Sequence, residues 1–383
     1  MPLRARAKRL RNFVMKRCSS GFIPIAKRFG MQTRPLSHFP CVVEWSRSPF
    51  CGAGERYVEI EAPRKQQRTI GDDLLHSPLG EVFRSLEDGY TTRQFRLELV
   101  DARVYGHSGV VVHSSDRIFS EITFEYATSP DDFSFWNQVG IPPVRDHRER
   151  VGVAHSMSAD NYSHWVMEVV PQLVQLKDDL DKGYIDAVYV RNVKRYQKEW
   201  LNLIGIDESR IVAAAHDNHI KAANLVVYSM PMRNCEFGPS QLALFRSFVP
   251  DAQPTERVFI GREGGNRNLL TSDGDLREVV ESCGYRYVLA ETLSVQEKLD
   301  LYANAAVIAG PHGAGLGGVV FADGRAEFRE VHSPLVPNLC YWRIADSKGM
   351  PYRCALAMPE EGANKGVQQN LKITSRQLGE FLQ

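Results

Sequence analysis

"AVIAGPHGAGLGGVV" occupies residues 306–320. Small and β-branched residues up to Ala309 read as a buried strand, and the apolar run from Leu316 begins a helix, so Gly310-Pro311-His312-Gly313-Ala314-Gly315 is the turn between them. Glycines there permit positive φ and leave backbone N–H groups uncovered, and the positive end of the following helix attracts an anion. His312 is the one functional side chain in the turn. Neither GxGxxG at the start of a βαβ unit nor GxxxxGKS fits the stretch. A tight turn that packs its helix closely and binds nothing accounts for the glycines equally well.

Outward from this turn, strands and helices alternate. "RVFIG" (257–261), "YRYVLA", "AAVIAG" and "AEFREVH" read as strands, and "DLREVVESCG", "VQEKLDLYAN", "LGGVVFA" and a closing "SRQLGEFLQ" as helices. Upstream, a helix over 161–180, the strand "DAVYV" (186–190), the helix "RYQKEWLNLIG" and the strands "RIVAA" and "NLVVYS" repeat the alternation. "PDAQPT" (250–255) separates the two sets as a linker. Residues 93–127 alternate apolar with polar positions as a β-meander. The expectation is an α/β protein with parallel sheets, a β-rich N-terminal segment and two doubly wound domains. The boundaries expected are 1–43 (basic tail), 44–250 (N-terminal, acceptor-side domain), 251–350 (C-terminal, nucleotide-sugar domain) and 351–383 (a tail and helix packing back).

In open parallel sheets ligands bind beyond the carboxyl ends of strands, so the residues after each strand carry the information. "GREGGNRNLL" follows one strand and contains Arg262, Asn266 and Arg267. Two guanidinium groups in a glycine-rich loop suit a diphosphate bidentately, although loop arginines are also ordinary solvated charge. In "SADNYSHWVMEVVPQL" (158–173), Ser158, Asp160 and Asn161 are N-cap residue types, which places His164 and Glu168 at i and i+4 near the helix start. An imidazole beside a carboxylate is a general-base arrangement, and equally a helix-surface ion pair. No HExxH supplies a third ligand for zinc. Asp273-Gly-Asp275 and Asp179-Leu-Asp181 match a DxD pattern, but both lie at expected helix ends, where Asp caps or is solvated.

Composition adds exclusions. The 383 residues are 43% hydrophobic and 24% charged, which is ordinary globular usage, and the length suits two domains. The net charge of +1 is uneven: residues 1–43 hold seven Arg and three Lys with no acid before Glu44, which leaves −9 on the remainder. Apolar residues interleave with these cations, a composition that fits peripheral contact of residues 1–34 with an anionic membrane surface better than nucleic-acid binding; a disordered basic leader is the alternative. No run reaches the ~18 apolar residues of a membrane span, and no uninterrupted apolar stretch follows the basic residues as in a signal peptide. Seven scattered cysteines without a CxxC pair indicate neither a disulfide framework nor a zinc site. The location expected is cytoplasmic, including the inner face of the membrane.

Three separated stretches, "DNYSHWVMEVVPQL", "FIGREGGNRNLL" and "LYANAAVIAGPHGAGLGGVVFADGRAEFREV", resemble glycosyltransferase family 61, whose bacterial members contribute to capsular and surface polysaccharides. The resemblance runs from about residue 95 to 355. It implies a GT-B-like fold, two Rossmann-like domains facing a cleft, and transfer of a sugar from a nucleotide-diphosphate donor with inversion. On that reading a glycan or lipid-linked hydroxyl is the acceptor. His164, Glu168 and Asp160 are the candidates for the base. Arg262, Arg267, His312, Gly313, Ala314, Gly315, Asn161 and Glu330 are the candidates for donor binding, with no metal or other cofactor. Glu263, Thr271-Ser272 and the "GLGGVVFA" stretch depart from the usual family pattern. A degenerate member that binds a nucleotide-sugar or glycan without transfer is the alternative; a dinucleotide oxidoreductase lacks its fingerprint.

Overall fold

The computed structural model describes residues 3–29, 31–123, 129–233, 235–263, 268–335, 337–360 and 370–383, with backbone alone for residues 3–13, 131, 134 and 148. The chain forms two compact units, each assembled from separate segments. Unit 1 comprises Met1–Ala62, Arg93–Asp160 and Glu168–Pro231; unit 2 comprises Pro63–Thr92, Asn161–Met167 and Met232–Gln383. The contiguous boundary expected near residue 250 is thus not how the units divide, because long-range contacts override sequence order. Arg68, for example, is buried with its guanidinium on Glu236 (2.5 Å) and Asp346 (2.7 Å).

In unit 1, helix α1 (Leu3–Arg28) precedes the strands β1 (Arg56–Glu61), β2 (Gln94–Val100), β3 (Arg103–Tyr105), β4 (Val110–Val112), β5 (Arg117–Phe119) and β6 (Arg145–Val153). Then come α2 (Val170–Asp181), β7 (Ala187–Val190), α3 (Arg195–Ile204), β8 (Ile211–Ala213) and β9 (His219–Tyr228). Strands β9, β6, β7 and β8 are parallel neighbours in that order, while β3 and β2 pair antiparallel with the first and second halves of β9. The meander is therefore continuous with the parallel part, in one mixed ten-stranded sheet. Leu97, Leu99, Val104, Val151, Val153, Leu225 and Val227 alternate inward from these strands to form its core.

Side chains of α1 are described from Val14 onward. Ser19, Ile23 and Ala26 are buried, and Ser19 Oγ donates to the Trp136 carbonyl at 2.8 Å. Buried Arg34 locks this docking through Gln138 O (2.5 Å), Pro35 O (2.8 Å) and the hydroxyls of Ser19 and Ser20. The basic leader is thus a helix docked on unit 1. Phe22, Ile25 and Phe29 of α1 and its end stay exposed.

Unit 2 contains a five-stranded parallel sheet. Its elements are β10 (Glu256–Gly261), α4 (Leu276–Ser282), β11 (Arg286–Leu289), α5 (Val295–Asn304), β12 (Ala305–Pro311), β13 (Glu327–His332), α6 (Cys340–Ser347), β14 (Tyr352–Leu356) and α7 (Ser375–Leu382). Helix starts are written locally: Asp275 caps α4, and Ser294 with Glu297 and Thr374 with Gln377 form capping boxes on α5 and α7. Spatial order is β11-β10-β12-β13-β14. The order in which strands are added therefore reverses between β10 and β12, and the crevice at their carboxyl ends is the topological switch point of this sheet. Residues 351–383, expected to pack back as a tail, instead supply the fifth strand and, through Leu371, Ile373, Leu378 and Leu382, part of the core.

Candidate functional site

The crevice of unit 2 is built by the residues that follow β10 and β12. Arg262 follows β10, and His312 and Gly313 follow β12. A Cβ added at Gly313 would stand 2.7 Å from Arg262 Nη1, so the guanidinium lies directly against the glycine backbone. Gly310 packs on the Ile260 carbonyl and Gly315 on the Ile260 side chain, with added-Cβ distances of 2.7 and 2.8 Å. None of these three glycines lies in the left-handed region; Gly313 is extended at φ 175°. The sequence reading is corrected here: the turn needs glycine for close approach, not for left-handed backbone. The helix that follows is an eight-residue 3₁₀ helix, Ala314–Phe321, in place of the expected α-helix, and it seats Gly318 on the Tyr302 ring. Tyr302 holds it further by donating its hydroxyl to the Gly315 carbonyl.

Behind the turn lies a buried array. Glu330 is fully buried, yet its carboxyl is held down to about 2: burial pushes it up, and His332 together with the hydrogen bond from His312 outweighs that. His312 Nδ1 stands 2.6 Å from Glu330 Oε1; an ionised carboxylate only accepts, so Nδ1 carries the proton and Nε2 is the ring nitrogen left to meet a ligand. On the other oxygen, the Tyr352 hydroxyl donates to Oε2 at 3.0 Å, and His332 Nε2 lies 2.9 Å from that hydroxyl and 3.2 Å from Oε2. The Tyr341 ring completes the His312 environment at 5.1 Å between centroids. His312, Glu330 and His332 place donor atoms within 4.8 Å of one another, so they are also the residues able to hold a divalent cation. A recess of about 310 Å³ opens beside Arg262, lined by Glu263, Asn268, Thr271, Arg277 and Tyr287.

The segment 161–167 belongs to the same unit. Asn161 Oδ1 accepts from the Ser163 and His164 amides (3.0 and 3.5 Å), so its oxygen is committed to the helix cap. Ser163 packs on Gly317, where an added Cβ would be 2.7 Å from its own, and the Lys298 ammonium sits 4.8 Å from the Tyr162 ring. A π-helical turn, Trp165–Val169, follows, a geometry frequent at functional sites. His164 is half-buried in unit 2; Glu168 is buried in unit 1 and accepts the Ser156 hydroxyl at 2.5 Å. Asp160, also in unit 1, is paired to Arg191 at 3.1 Å, which lowers its carboxyl and weakens it as a base.

Residues 162–327 match the family model for glycosyltransferase 61. That segment runs from the first helical residue after the Asn161 cap to the start of β13, and it contains Arg262, His312 and Gly313. Over this segment, 166 of the 383 residues, the chain is similar to glycosyltransferase family 61. No curated protein matches the chain.

Of the residues singled out from sequence, the matched segment and its flank bring Arg262, His312, Gly313 and Glu330 together. Ala314 and Gly315 start the 3₁₀ helix, while Arg267 and Asn266 lie outside the described residues. The DxD pairs are structural: Asp275 caps α4, Asp273 accepts from Ser375, Asp179 holds Arg96 and Tyr228, and Asp181 holds Lys177. Sequence reasoning missed His332, Tyr352 and Cys340, whose thiol is pushed up by its hydrogen bond with Cys235 and by burial. The signal for His332 was available, since Glu330 and His332 are two apart on a strand and share one face.

Proposed function

We propose that the chain is an inverting glycosyltransferase that moves a sugar from a nucleoside-diphosphate donor to a hydroxyl of a surface polysaccharide or glycolipid. The observation that carries this reading is the Arg262 guanidinium seated on Gly313 beside the His312–Glu330 pair, at the switch point of a parallel sheet. Arg262 meets the diphosphate, His312 donates to it from Nε2 with protons on both ring nitrogens, and the nucleoside lies in the recess beside Arg262. Glu330 holds His312 in place, and Tyr352 and His332 hold Glu330.

Inversion needs one in-line displacement. The acceptor oxygen bonds to the anomeric carbon, the bond from that carbon to the diphosphate breaks, and the acceptor proton passes to a base. His164 is the base this reading favours, because Glu168 is buried on Ser156 and Asp160 is tied to Arg191. Charge developing on the departing diphosphate is met by Arg262 and His312, so the reaction is expected to run without a metal.

The same reading places the enzyme in the cytoplasm, at the inner face of the membrane. No helix among the described residues is long and apolar enough to cross a bilayer. Phe22, Ile25 and Phe29, exposed beside Lys27 and Arg28, form the contact with anionic lipid. Overall, a GT-B-like pairing of two doubly wound units is the fold this reading implies.

Calorimetric titration of the full chain with UDP, GDP and their sugars, followed by product analysis, tests the proposal. Binding of a nucleoside diphosphate that is lost in Arg262→Ala and His312→Ala, together with transfer of the donor sugar, is expected. Absence of diphosphate binding, or binding indifferent to both substitutions, overturns it.

A further inference from the structure

Unit 1 carries a recess of its own, a cavity of about 100 Å³. Residues at the carboxyl ends of two parallel strands line it: His155 and Met157 after β6, and His216 after β8. The third wall is the turn between β3 and β4, which contributes His107 and Ser108. Gly109, at φ +71°, lets that turn lie on His155, whose Cβ would be 3.0 Å from any Cβ at residue 109. Strand β9 is added on the far side of β6 from β7 and β8, so in this unit too the strand order reverses beside β6, where ligands of parallel sheets gather.

The lining defines the ligand's chemistry. Phe135, Ile122, Val110 and Met157 supply apolar surface, while Tyr105, Gln138, Thr123, Ser108 and three imidazoles supply hydrogen-bonding groups. No carboxylate, lysine or arginine is among the lining residues described. The His107 and His216 rings stand 4.4 Å apart, and burial, then His216, then Arg191 favour the neutral form of His107. His155 is buried with Nε2 3.0 Å from the Tyr228 carbonyl, which leaves Nδ1 as an acceptor. Arg191, whose charge acts on His107, is paired with Asp160. A site with one apolar wall and neutral donors and acceptors suits a ring with a hydrophobic face and several hydroxyls, and offers a phosphate or a carboxylate no fixed charge.

We propose that this recess is a carbohydrate subsite for a neutral sugar ring, which, on the glycosyltransferase reading, is a sugar of the acceptor. The full chain with ¹³Cε1-labelled histidine tests it by NMR, using the methyl glycosides of glucose, galactose, mannose and N-acetylglucosamine as probes, with UDP and inorganic phosphate as separate arms. At least one glycoside shifts the His107 and His216 resonances in a saturable manner, and Gln138→Ala and His107→Ala each weaken that binding about three- to tenfold without lowering the thermal midpoint. No shift by any of the four glycosides overturns the inference, and so does a shift of the same two resonances by phosphate. UDP acting on His312 while no glycoside binds would leave the donor reading standing and remove this one. The converse pattern would leave a sugar site on a protein that does not use a UDP donor.

Discussion

Arg262 and Gly313 touch: the guanidinium Nη1 occupies the space where a side chain on residue 313 would begin, 2.7 Å from an ideal Cβ. The contact joins the ends of two strands that are hydrogen-bonded neighbours in the sheet but about fifty residues apart in sequence. Gly313→Ala is therefore expected to push Arg262 aside while leaving the backbone unstrained, since φ is extended. Calorimetry should show diphosphate affinity falling about tenfold, the loss of one charge-assisted contact, with an unchanged melting temperature. Gly318→Ala, which drives a methyl into the Tyr302 ring, should instead cost about 1–3 kcal/mol of stability by chemical denaturation.

Removing the Glu330 charge without its shape separates holding His312 from packing. Glu330→Gln is expected to lower kcat about 10²-fold, within the usual worth of a positioned acid–base group, while Tyr352→Phe costs less because His312 keeps its carboxylate. A pH profile of kcat that moves in the first variant and not in the second checks the assignment.

His164→Ala should retain nucleotide binding and lose about 10²–10⁴ in turnover, as expected of a general base. Glu168→Gln, whose carboxylate takes the Ser156 hydroxyl inside unit 1, should mainly lower the melting temperature. Equal turnover in wild type and His164→Ala would move the base elsewhere.

Two buried groups contribute to the acid limb of stability. His155 is held to about 4, below its ordinary 6.5, by burial, so the unfolded chain binds the extra proton first. Its contribution is complete above pH 6.5 and is lost as pH falls to about 4, a change of up to about 3 kcal/mol. Glu330, at about 2 against an ordinary 4.5, adds a second loss between those values. Urea midpoints measured from pH 7 to 3 should fall in both windows, and the upper fall should shrink in His155→Gln, with burial of His107 and His219 supplying what is left.

Chelation with EDTA is expected to leave turnover unchanged. Activity that disappears with EDTA and returns with a divalent cation would instead hand the leaving-group charge to an ion on His312, Glu330 and His332. For the membrane contact, Phe22→Ser with Phe29→Ser should reduce sedimentation with phosphatidylserine vesicles while donor binding holds. These exposed sites are the better test, because truncation through residue 34 would also strip buried Arg34.

Much of this protein was legible from local signals. Strand and helix alternation and the caps at Asn161 and Asp275 rest on interactions within four residues, so the order of residues alone determined them. Glu330 was singled out, but its company was not: His332 is two residues along the strand, whereas Tyr352 arrives on a parallel strand whose partner register no local pattern encodes. The segmentation into units, the docking of the basic helix by Ser19 and Ile23, and the meeting of Arg262 with Gly313 were likewise decided only in three dimensions. Period and capping chemistry are properties of neighbours along the chain, while burial and charge pairing depend on which distant segments the packed core brings within a few ångströms.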